Sequence, residues 1–133
     1  MMIEDKKQIL NATRTIAVVG LSASQTRAGY TVPKYMQSVG YRIIPVNPEL
    51  DEALGEKSYP DLRSVPEPID MVLIFRRNEH IPPIVDEAIE VGAKSVWMQL
   101  GLHNEEAAQK ARTAGLEVIE DACIAVDHRQ LMR

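Results

Sequence analysis

Cysteine is almost absent from this 133-residue chain: Cys123 stands alone. No internal disulfide can form, so the fold must rest on its core, as suits a reducing compartment. No apolar run approaches the roughly eighteen residues that a membrane helix needs. Met1-Met2-Ile3 pass at once to Glu4, Asp5, Lys6 and Lys7, without the apolar stretch of a secretory signal. The expectation is a soluble, cytoplasmic chain with no membrane partner. Positive charge is also scarce, since 15 Lys and Arg against 19 Asp and Glu leave a formal net charge of −4. Duplex binding is largely neutralisation of phosphates by clustered cations, which argues against nucleic acid as a partner but not against a small anion. His80, His103 and His128 are far apart and lack metal-ligand spacing, which argues against zinc.

What is present is ordinary globular composition, with 45% hydrophobic and 26% charged residues. The length fits one domain over residues 1–133, and a chain of this size buries about two-thirds of its unfolded surface. Neither an internal repeat nor a low-complexity linker is visible. Compact apolar runs recur at Ile16-Ala17-Val18-Val19, Ile43-Ile44-Pro45-Val46, Met71 to Phe75, Ser95 to Met98 and Leu116 to Ile119. Three of them are nearly continuous in apolar character, as parallel strands covered on both faces are. Pro45 lacks an amide donor and weakens the ladder expected of the second run.

Helical patterns lie between these runs. Val32, Tyr35, Met36 and Val39 share a face, with Pro33 suited to a first turn and Gly40 to a stop. Asn78 is a candidate N-cap, Pro82 and Pro83 fit an opening turn, and Gly92 closes that helix. Asn104 caps a third helix, with Glu105 and Glu106 in its first turn and Gly115 after it. Residues 3–12 suit a leading helix. The proline-rich segment Glu49 to Pro68 reads as an irregular excursion. The alternation predicts an α/β fold with about five parallel strands, doubly wound in three layers.

In such sheets ligands lie outside the carboxyl ends of the strands, where strand order reverses. Three arginines, Arg27, Arg76 and Arg77, fall near those ends in an acidic chain. After Gly20, backbone amides and the following helix terminus suit a phosphate, with Ser22, Ser24 and Thr26 as hydroxyl donors and Arg27 as a charged fork. The same residues also make ordinary turns, and the loop alone leaves both readings open. Only the first glycine of G-x-G-x-x-G is present. The second run ends at Asn47-Pro48, 27 residues beyond Gly20 and without the carboxylate that binds a ribose in dinucleotide sites. Phe75 can stack on a base while Arg76 reaches a phosphate; Arg77 points the other way. Gln99, Leu100 and Gly101 close the fourth run, where a glycine permits close approach and Gln99 offers an amide. A buried Gln held by backbone is the competing reading.

The order and spacing of VVGLS with Arg27 downstream, TVPKYM, GYRIIPVNP, LGEKSYPDL, IDMVLIFRR, PPIVDEAIEVGAKSVWMQLG and NEEAA resemble the CoA-binding domain proteins. These are small stand-alone relatives of the amino-terminal domain of the succinyl-CoA synthetase α subunit. The resemblance implies a Rossmann-like fold with strand order 3-2-1-4-5 and coenzyme A, or an acyl-CoA, across the carboxyl edge. It implies phosphates at Gly20, Leu21, Ser22, Ser24 and Arg27, the nucleotide along Asn47, Pro48, Phe75 and Arg76, and pantetheine beside Gln99, Leu100 and Gly101. Many relatives carry basic residues around a cysteine in a D-R-C-M-K segment, whereas this chain has Asp121-Ala122-Cys123-Ile124-Ala125. No segment here resembles the synthetase domain with the phosphorylated histidine, so the resemblance implies no synthetase activity.

Two readings stand at this level. One is a non-catalytic CoA-binding module acting as carrier, sensor or partner subunit. The other is a nucleotide-cofactor enzyme, NAD(P)-dependent or acyl-CoA-processing, for which no acid, base and nucleophile constellation is visible. Cys123 reads as a small buried thiol, with a mixed disulfide to the coenzyme as the alternative. A protein partner or homodimer is left open.

Overall fold

The structure, a computed structural model, describes residues 3–132. The elements are α1 (Ile3–Ala12), β1 (Thr15–Val19), α2 (Ala28–Ser38), β2 (Arg42–Val46), the two-residue strands β3 (Glu52–Ala53) and β4 (Glu56–Lys57), β5 (Met71–Ile74), α3 (Ile81–Glu90), β6 (Ser95–Met98), α4 (Glu105–Thr113), β7 (Glu117–Ile119) and α5 (Ile124–Leu131). The five longer strands form one parallel sheet, and β3 and β4 form an antiparallel hairpin apart from it.

Period-two alternation sorts the strand side chains into two cores. Ile16, Val18, Leu73 and Trp97 pack under α1, α2 and α5, together with Leu10, Met36 and Ile124. Ala17, Val19, Ile74 and Met98 pack under α3 and α4, together with Val85, Ala88 and Ala108. Every residue of β5 and β6 is buried, as strands covered on both faces require. Trp97 lies wholly inside, and its indole N–H donates to the Ala122 carbonyl at 2.9 Å. The fold is thus the doubly wound α/β architecture that the alternation implies, and Rossmann-like as the resemblance implies.

Strand order differs from the expected 3-2-1-4-5. Numbering only the long strands, the order is 2-1-3-4-5, because β5 lies against β1 rather than outside β2. The outer flank of β2 is occupied by its own connection: Tyr59 donates to the Pro45 carbonyl (3.0 Å) and Asn47 donates to the Tyr59 carbonyl (2.9 Å). The chain then crosses the α3 face, burying Leu62 and Ile69 in that core, and enters β5 on the other side of β1. Order therefore reverses between β1 and β5, which places the crevice there. Pro45 fits because its carbonyl, and with it the missing N–H, points outward to Tyr59 and not to β1.

Two helix starts also differ. α2 begins at Ala28, so Pro33 stands inside the helix and not in its first turn. Pro33 has no N–H for the Gly29 carbonyl; that carbonyl accepts the Ser22 N–H instead, at 3.0 Å. Asn78 opens a short 3-10 turn ahead of α3, and its Oδ1 accepts the His103 N–H at 2.9 Å, so the capping role expected of it falls away. Asn104 caps α4 as expected, accepting the Ala107 N–H at 2.9 Å. Helix α5 has no expectation to match: Cys123 at its N-cap makes no side-chain capping bond.

Candidate functional site

The β1–α2 turn is built on Gly20. Its φ of +90° is costly for any other residue, and an added Cβ would lie 2.8 Å from the Phe75 carbonyl oxygen and 2.9 Å from Arg76 Cδ. The glycine therefore lets the end of β5 cross close over the end of β1, laying the Arg76 stem across the turn. Beyond it the loop is held from three sides. Asn47 Nδ2 donates to the Leu21 carbonyl (2.9 Å), the Gly29 carbonyl takes the Ser22 N–H, and Ser22 Oγ accepts the Ser24 N–H (3.0 Å). The Ser24 and Thr26 hydroxyls share a bond at 3.2 Å, and Arg27 sits at the N-cap of α2. Ser24, Thr26 and Arg27 are exposed; the Leu21 side chain is buried in the core and offers only backbone.

The arginines here are uncommitted. Arg42, Arg63, Arg77 and Arg112 each have a carboxylate within 4.0 Å. Among the described residues Arg27 and Arg76 have none. An exposed guanidinium without a partner at the positive end of a helix favours an anion there.

Beside the turn, on the α3 face, is a cleft of about 230 Å³. Val19, Val46, Leu62 and Ile84 form its apolar floor, and Pro48, Pro60 and Pro83 wall it. Its polar groups are Arg76, His80, Asp61 and Glu87. Asp61 Oδ1 accepts both the Ser64 hydroxyl (2.7 Å) and the Ser64 N–H (2.8 Å), which hold its carboxyl below the usual range. Glu87 Oε1 accepts the Leu62 N–H at 3.0 Å. Of these residues the sequence reading included Pro48 and Arg76. The spacing of Asp61 and Ser64, an acceptor three residues before a hydroxyl, is the local signal for the turn that places Asp61 here.

The remaining expected residues sit on the other side of the sheet edge. Phe75 follows Leu73 in period and packs half-buried against the α2/α5 core, away from the Pro48 cleft. Gln99 is buried, and its Oε1 accepts the Ile124 N–H (3.3 Å) at the start of α5. Its side chain thus serves the fold, as the competing reading had it. Leu100 is 67% exposed, and Gly101 (φ +86°) donates its N–H to Asp121 Oδ1 at 2.6 Å. The same pair of loops is joined by Asp121 N–H to the Leu102 carbonyl at 3.0 Å. Cys123 is a half-buried free thiol beside them. The expected residues therefore form two groups flanking the Gly20 turn: Pro48 and Arg76 on one face, and Phe75, Gln99, Leu100 and Gly101 towards the other. Among the described residues no helix is long and apolar enough to cross a membrane, and no group of three or more His, Cys, Asp or Glu is placed to hold a metal.

Comparison with known proteins gives this arrangement a lineage. The chain is 48% identical over 122 residues to the Bacillus subtilis protein YneT, covering 92% of this chain and 90% of that one. A solved protein from Pyrococcus horikoshii OT3 superposes with a TM-score of 0.96 at 37% identity, covering 100% of this chain and 94% of that one. The ADP-forming acetate–CoA ligase of Methanocaldococcus jannaschii is 30% identical over 81 residues, 61% of this chain but only 12% of the ligase. The family model described as CoA binding domain matches residues 14–129, from the residue before β1 into α5, and the chain belongs to that family.

Proposed function

We propose that this chain is a single-domain, cytoplasmic, non-catalytic module that holds coenzyme A or a short acyl-CoA across the carboxyl edge of its sheet, as carrier, sensor or partner subunit. The observation that carries the reading is the pair of uncommitted arginines, Arg27 and Arg76, on either side of the Gly20 turn at the point where strand order reverses. The ligand needs cations for its phosphates, an apolar slot for its base and a path for its pantetheine arm. The residues fit those needs in turn. Arg27 and the exposed Ser24 and Thr26 hydroxyls suit phosphates, and the proline-walled cleft by Pro48 and Arg76 suits the base. The open backbone at Leu100-Gly101 suits the arm. At about 230 Å³ the cleft is below the usual size of a whole small-molecule site, so it takes one end of the ligand and the rest lies along the edge. When bound, coenzyme A supplies a thiol that carries an acyl group as a thioester.

A binding role rather than a catalytic one is supported by how the polar groups at the edge are used. Asn47, Gln99 and Asp121 each spend their side chains on backbone N–H or carbonyl groups of the neighbouring loops. Such groups hold a rigid rim. Native mass spectrometry of freshly purified protein tests the reading: a bound species of CoA or acyl-CoA mass is expected, with no turnover of added acyl-CoA. A nicotinamide nucleotide in its place, or steady acyl-CoA hydrolysis, overturns it.

A further inference from the structure

The polar groups of the proline-walled cleft come from different elements. Arg76 follows β5 directly, and its stem crosses the Gly20 turn at the sheet edge; His80 immediately precedes α3. Helix α3 runs from that edge back towards the start of β6, so Glu87, six residues beyond Ile81, lies roughly 9 Å further from the edge. Glu87 Oε1 holds the Leu62 N–H (3.0 Å), which ties the Asp61–Leu62 backbone to α3. The cleft thus takes its cation, Arg76, from the end of β5 and its acceptors, Asp61 and Glu87, from the β4–β5 connection and α3. Asp61 Oδ1 is taken twice by Ser64, and among the described residues Asp61 Oδ2 has no hydrogen-bond partner. A phosphorylated nucleoside carries its negative charge at one end and, in adenine, an exocyclic amine at the other.

We infer that Asp61 is the base-selecting residue of this cleft, its free carboxylate oxygen accepting a hydrogen bond from the exocyclic amine of an adenine seated between Pro48, Pro60 and Pro83. The inference rests on the CoA reading above and deepens it by naming which nucleotide end enters and what is read there. Glu87 is the positioning residue: it holds the Asp61–Leu62 backbone and meets the base through Asp61. A carboxylate there rejects bases that present a carbonyl at the same position and gains nothing from a purine without the amine.

The test titrates the full chain with adenosine 3′,5′-bisphosphate and with the same bisphosphate of unsubstituted purine riboside, followed by calorimetry. The native chain is expected to favour the adenine compound about tenfold or more, as for a hydrogen bond to a charged acceptor. Asp61→Asn, which replaces the free oxygen by a donor, is expected to bring the two affinities together, and Asp61→Ser, which keeps a short turn-capping side chain, to do the same. A merely structural role would lower both affinities and leave their ratio. Equal binding of the two ligands by the native chain, or an unchanged ratio in both variants, overturns the inference while leaving CoA binding intact. Failure of either ligand and of CoA itself to bind removes the parent reading and this one with it.

Discussion

Gly20 is the residue on which the two halves of the site turn, because it is asked for twice: by a φ of +90° and by the Phe75 carbonyl that leaves no space for a Cβ. A backbone forced into that region costs about 1–3 kcal/mol, and here the blocking atom is main chain, which cannot rotate away. Gly20→Ala is expected to lower Tm by several degrees and to weaken CoA binding through displacement of Arg76, read by calorimetric melting and titration; an unchanged melting curve would contradict this geometry. The arginines act differently, since both are exposed and hold no neighbour in place. Arg27→Ala and Arg76→Ala are each expected to leave Tm near the native value and to cost about 1.5–3 kcal/mol of CoA affinity, roughly ten- to a hundredfold or more. Adenosine, which carries no phosphate, is expected to lose far less, and equal loss for both ligands would show that the arginines do not meet phosphates.

Among elements, β1 is paired on both sides, with β2 along its whole length and with β5 from Ile16 to Val19. Its entry is fixed by Asp70, whose Oδ2 accepts the N–H groups of Arg14 and Thr15 at 3.0 Å each, with Lys94 Nζ at 3.6 Å from Oδ1. Burial pushes that carboxyl up, but the two amide donors and Lys94 outweigh it and hold it below the usual carboxylate range. A depressed carboxyl stabilises the fold above its unfolded value of about 3.9, and that contribution is lost as pH falls through the lower folded value. Asp70→Asn is therefore expected to destabilise the protein by about 1.5–3 kcal/mol at pH 7. The difference from the native chain should narrow below about pH 3.9; denaturant melts at both pH values check it, and a gap that does not depend on pH would contradict it. Helix α2 shows the same economy in another form. Its interior Pro33 leaves the Gly29 carbonyl to hold Ser22, so a residue that weakens the helix also ties down the loop before it.

At the scale of the whole molecule, the αβ alternation, the strand positions and the carboxyl-edge location of Gly20, Arg27 and Arg76 were legible in the chain, because apolar runs and glycine stops are local signals. Strand order was not. It is set by Tyr59 pairing on the outer flank of β2 and by Leu62 and Ile69 sinking into the α3 core, contacts between residues far apart in a segment without periodicity. The side-chain assignments divide along the same line. Phe75 was placed at the correct strand end, but whether it shares a cleft with Pro48 depends on which face its register gives it. Asn47 and Gln99 were correctly located as polar residues at strand ends, whereas their hydrogen bonds to the Leu21 carbonyl and the Ile124 N–H exist only after distant loops meet. Helix α5 escaped notice because its start carries no capping side chain.

The central claim is that this edge binds coenzyme A, and a ligand that binds only the folded chain raises its stability by mass action. The most direct measurement is the melting temperature of the intact chain across a titration with CoA, set beside NADPH at equal concentrations. A Tm that climbs steadily with CoA above its dissociation constant and does not move with NADPH is expected; a flat response to CoA at concentrations well above micromolar, with a rise on NADPH, would contradict the account.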